Sequence, residues 1–100
     1  MDEKFDLLKA SNEIKSRFAC RLLYYLTIAN RDSLPNVSEI QQHERLAAYS
    51  ELCHRVLPSI ESLLTWNKNA GDNTQMLLTF CERWQCSHLV TKVISEITNE

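Results

Sequence analysis

The chain has 100 residues, 44% of them hydrophobic, a formal net charge of −2 and a pI of about 5.9. That length holds one domain rather than two, and that apolar fraction excludes the composition of a disordered chain. The charge lacks the basic excess of a duplex-binding domain, whose affinity comes largely from phosphate contacts, so nucleic acid is not the expected partner.

One glycine, Gly71, and two prolines, Pro35 and Pro58, leave too few turn residues for a sheet protein. The fold expected is all-α: a single domain over residues 1–100, built as a compact bundle of four to five helices. The N-terminal Met1–Asp6 is charged and lacks the apolar run of a signal peptide. No stretch approaches the ~18 apolar residues of a membrane span. These features predict a cytoplasmic protein with no membrane partner, and its cysteines Cys20, Cys53, Cys81 and Cys86 as free thiols.

The first helix is predicted over 2–29. Leu7, Ser11, Ile14, Phe18, Leu22, Tyr25 and Ala29 recur at steps of three and four, which puts them on one stripe. Phe5, Leu8, Ala19, Leu23 and Leu26 widen it. An arc this broad needs more than one neighbour, so this long helix is expected at the centre. Asn30 is its expected C-terminal cap, followed by a loop over 31–36.

The second helix is predicted to begin near Ser38, where Ser38 and Gln41 have capping-box spacing. Leu46, Tyr49, Cys53, Val56, Ile60, Leu63 and Leu64 share a face that passes through Pro58. Two forms are open: a helix over 38–68 kinked at Pro58, or two helices meeting there. The preserved register favours the kink. Residues 69–72 are predicted as a loop, with Gly71 in the left-handed conformation and Asp72 or Asn73 capping the next helix.

In the last quarter Met76, Leu77, Phe80, Cys81 and Trp84 share one face. Cys86, Val90, Val93, Ile94 and Ile97 share another, turned by roughly 130° if one helix runs through both. A break over 85–87 repairs this and makes two short helices, with Ser87 as the new N-cap. One helix with two buried faces is the alternative.

Few residues point to chemistry. Cys81, Cys86 and His88 have the spacing C-x4-C-x-H, unlike the C-x2-C knuckles that bring two thiolates to one zinc, so no metal or other cofactor is expected. Glu51 and His54 form an E-x-x-H, of which a di-iron bundle needs two. His43-Glu44 has Ala47 where a zinc protease needs its second histidine. One glycine builds no phosphate-binding loop, and no nucleophile–base pair stands out, which shifts weight from catalysis to binding.

Three functional readings follow. The first is a small non-enzymatic protein-interaction module of adaptor, chaperone, immunity or inhibitor type, with homodimer formation open to it. Arg17, Arg21 and Tyr24, beside the apolar face of the first helix, are its expected contact residues, since Tyr and Arg combine apolar area with directional polar groups. The second is a DNA-binding regulator with a degenerate helix-turn-helix over 73–98, presenting His88, Thr91, Lys92 and Ser95. The third rests on Arg83 to His88, an R-x4-H that resembles the short motif of the HEPN helical-bundle ribonucleases. That resemblance implies Arg83 and His88 acting on RNA. It covers only these residues, and Trp84 stands where the family favours a polar one.

Overall fold

Two side-chain caps decide where the first helix starts. Asp6 accepts from the Leu8 N–H at 3.1 Å and opens a single 3-10 turn over Leu7–Lys9. Ser11 then accepts from the Ile14 N–H at 3.3 Å, and α1 runs over Asn12–Arg31. The computed structural model describes residues 5–31, 38–56 and 67–99. Within them the chain is all-helical: that turn, α1, α2 over Glu39–Val56, α3 over Ala70–Arg83 and α4 over Ser87–Thr98. Among the described residues no helix is long and apolar enough to cross a membrane.

The helix predicted over 2–29 therefore begins ten residues late, and Ser11 is its cap rather than part of its apolar stripe. A serine hydroxyl competes for backbone N–H groups and favours a helix end over a helix interior. Leu7 still reaches the core from the 3-10 turn at 6% exposure, whereas Phe5 and Leu8 stay exposed.

From Asn12 onward the predicted stripe holds. Phe18, Leu22 and Leu26 have no exposed area, and Ala19 and Leu23 are buried beside them. As expected of a central helix, α1 packs against α2, α3 and α4. The bundle is flat, 41 × 40 × 19 Å. That is about two helix layers, given interaxial distances of 8–10 Å.

The capping box at the start of α2 forms: the Gln41 N–H donates to Ser38 Oγ at 3.1 Å and the Ser38 N–H to Gln41 Oε1 at 3.3 Å. The buried face of α2 differs from the predicted one. Arg45, Leu52 and Val56 are buried, Tyr49 and Cys53 are half-buried, and Leu46 is exposed. The face is turned by roughly 60°, because an arginine occupies a core position that a hydrophobicity pattern reads as polar. The expected features at Pro58, Ile60, Leu63 and Leu64 lie outside the described residues.

Gly71 corrects a second expectation. It sits inside α3, and no glycine has a positive φ. The helix starts at Ala70, with Asn69 at the N-cap position, while Asn73, expected as a cap, is buried at 6% exposure. The break between α3 and α4 is where the rotated pattern requires it. Gln85 takes φ 59°, and the Cys86 N–H donates to the Cys81 carbonyl at 2.7 Å. The N-cap of α4 is Cys86, with Ser87 as the first helical residue, one position later than expected for the serine.

Arg45 is 2% exposed, and among the described residues its Nε and Nη2 have no hydrogen-bond partner. An uncompensated buried guanidinium costs several kcal/mol, roughly. Arg45→Met should therefore leave stability unchanged or raise it by about 1–4 kcal/mol. A fall in the denaturation midpoint would show that the guanidinium is satisfied. A Cβ on Gly71 would meet only Lys15 Nζ, at 3.9 Å. Gly71→Ala should then stabilise the protein by about 0.5–1 kcal/mol in thermal or urea unfolding, as expected for a right-handed helical glycine. A left-handed Gly71 would produce the opposite sign.

Candidate interaction surface on the outer face of α1

Burying one side of α1 sets what the other side presents. Positions 17, 20, 21, 24 and 28 fall within an arc of roughly 100°, opposite the Phe18–Leu22–Leu26 column. Tyr24 is 63% exposed and Ile28 39%. Arg17 and Cys20 are exposed and Arg21 is half-buried. The three residues expected at the contact surface thus lie together on one solvent-facing stripe. Cys20 and Ile28 extend it. Ile28 was readable from the same spacing but lies outside the predicted Arg/Tyr cluster.

The stripe is tethered along both edges. Arg17 Nη2 lies 3.1 Å from Glu13 Oε1, an i,i+4 pair with both side chains more than half exposed, which contributes only a few tenths of a kcal/mol, roughly. Tyr24 packs edge-on against Tyr25, with ring centroids 5.7 Å apart. Tyr25 turns to α4, where its hydroxyl donates to both carboxylate oxygens of Glu96, at 2.7 Å to Oε2. Lys92 Nζ sits 4.5 Å above the Tyr25 ring. On the other side the Tyr49 hydroxyl reaches from α2 to the Leu23 carbonyl at 3.3 Å and also bonds the Thr27 hydroxyl.

The Tyr25–Glu96 bond raises the Tyr25 pKa above its ordinary value of 10.0. The hydrogen bond to Glu96 is the main cause, burial and the Glu96 charge act in the same sense, and Arg21 opposes them. Tyr49 is also raised, chiefly by burial.

The cysteines divide by environment. All four are free thiols. Burial pushes Cys81 up to about 12 and raises Cys86 as well, the latter opposed by the nearby Arg45 charge. Such protonated thiols are poor nucleophiles and poor metal ligands. Cys20 is exposed and Cys53 half-buried. Among the described residues no group of three His, Cys, Asp or Glu side chains converges as a metal site would.

The other motif residues are placed as follows. Glu51 and His54 are both exposed, and Glu51 pairs with Arg55 at 3.0 Å. Arg83 and His88 are exposed on either side of the break at Gln85, and the Arg83 guanidinium lies 4.9 Å from the Trp84 ring centre. His88, Thr91, Lys92 and Ser95 point outward from α4, but the Lys92 ammonium is occupied by the Tyr25 ring.

Apolar depressions accompany the stripe among the described residues. A groove of about 710 Å³ runs between α2 and α3 over Ala48, Leu52, Met76, Phe80 and Trp84. A smaller one of about 440 Å³ lies against Phe5, Leu8, Leu78 and Ile94. Sequence reasoning missed the groove because it belongs to neither helix alone. No family model, curated protein or solved structure matches this chain.

A raised Tyr25 pKa stabilises the fold below about pH 10, the ordinary tyrosine value, and that contribution is lost as the pH rises through the folded pKa. Glu96→Gln removes the charged acceptor, so Tyr25 should ionise nearer 10.0 in a near-ultraviolet absorbance titration. An unchanged titration curve would show that Glu96 does not hold the phenol.

Proposed function

We propose that the protein is a small non-enzymatic interaction module that binds another protein through the outer stripe of α1. The observation that supports this is the exposure of Tyr24 and Ile28 on a helix held rigid from its other side by three neighbours. A tyrosine on a fixed backbone offers a large contact area at low entropic cost, and flanking arginines add directional polar bonds. Arg17, Arg21 and Tyr24 are the contact residues in this reading, and the protein acts in the cytoplasm as an adaptor or inhibitor. A second copy of the chain could use the same stripe, giving a symmetric dimer.

The test is affinity capture with the wild-type chain and with the double variant Arg21→Glu/Tyr24→Ala, each checked for an unchanged thermal melt. Loss of hot-spot contacts of this kind should weaken the captured complex by roughly 30-fold or more, about 2 kcal/mol. Capture of the same partner with equal affinity by the variant would remove the α1 stripe as the binding surface.

A further inference from the structure

The groove between α2 and α3 is independent of the α1 stripe, and its geometry is specific. Arg45 lies beside Cys86 and the Tyr49 ring sits 6.1 Å from that of Phe80, so α2 and α3 run antiparallel. Along α2 the groove extends from Glu44 to Arg55, roughly 16 Å at 1.5 Å per residue. That is about three helical turns. Ala48 at the middle of the floor allows close approach, and Met76 adapts to irregular partners. Phe80 and Trp84 are 6.5 Å apart and make an aromatic end wall.

The rims carry opposite charge at that end. Glu44 on α2 has no cation partner among the described residues. Arg83, on the opposite rim, has no carboxylate partner among them and lies over the Trp84 ring, 4.9 Å from its centre. An occupant therefore finds an apolar floor between one unneutralised acid and one unneutralised base. Among the described residues no third helix lies over the furrow between these two antiparallel helices to complete a local three-helix layer.

We propose that this groove seats an amphipathic helix of a partner protein, about three turns long, with an apolar face on Ala48, Leu52, Met76 and Phe80, a basic side chain opposite Glu44 and an acidic one opposite Arg83. This is helix-in-groove recognition, with anchors spaced i, i+3, i+4 and i+7. The inference builds on the interaction-module reading but places a second contact on a different face.

The probe is a capped helical peptide of about three turns with leucines on one face, lysines on one flank and glutamates on the other. Binding is followed by peptide anisotropy and by amide chemical shifts of the full chain. Saturable binding that shifts α2 and α3 resonances is expected. Glu44→Lys and Arg83→Glu should each weaken it about 5–10-fold. The double reversal Glu44→Lys/Arg83→Glu should restore it, because a helix turned end for end exchanges its flanks. No saturable binding, single reversals without effect, or a double variant as weak as the sum of its parts would each overturn the proposal. So would a concentration-dependent dimer broken by these reversals, which would make a second copy the occupant. Arg21→Glu/Tyr24→Ala should leave peptide binding unchanged, so the two surfaces fail or stand separately.

Discussion

Phe18, Leu22 and Leu26 form a column on α1 with no exposed area, and the placing of the other helices serves to keep it dry. Each such side chain contributes about 1.5–3 kcal/mol on leaving water. Three in a row on one helix cannot be covered by a single partner, and α1 packs against α2, α3 and α4. Leu77, Cys81 and Val93, all at 0% exposure, belong to the same core. The break at Gln85 follows from the same requirement. A straight helix from Ala70 to Thr98 would bring only one of its two apolar faces to α1, and the positive φ at Gln85 turns the second one in.

The outer face of α1 owes its character to this inner burial. With one side fixed by three neighbours, Arg17, Arg21, Tyr24 and Ile28 are held in a constant geometry. Polar ties at both margins, Tyr25 to Glu96 and Tyr49 to Leu23 and Thr27, lock α1 to α4 and α2 without using the stripe itself. Between these ties the Tyr24 ring stays largely in solvent.

Its weaker side is α2. There the core position 45 holds a guanidinium, the pattern is turned from the simplest apolar register, and the outer junction with α3 remains an open furrow. The stripe and the groove therefore have different physical origins: one is the back of the best-packed helix, the other the edge of the least complete one.

The sequence by itself determined the helical class, the stripe of α1 and the Ser38–Gln41 box, and it offered the break before α4 as one of two forms. Each depends on spacing or on a side chain meeting its own backbone within four residues. The grouping of Arg17, Arg21 and Tyr24 was legible for the same reason, since one rigid helix fixes it. Tertiary structure alone decided the rest. The 3-10 turn that carries Leu7 into the core ahead of Ser11 has no mark in the apolar spacing, which also fits one continuous helix. Gly71 lies inside the first turn of α3 with a right-handed backbone, where a glycine near a helix start reads equally well as a turn. Arg45 is inside because α2 meets α3 along a line no single-helix pattern encodes. The groove exists only where two helices leave a gap. Contacts between residues far apart in sequence carry no local signature, and these are the contacts that set the second candidate surface.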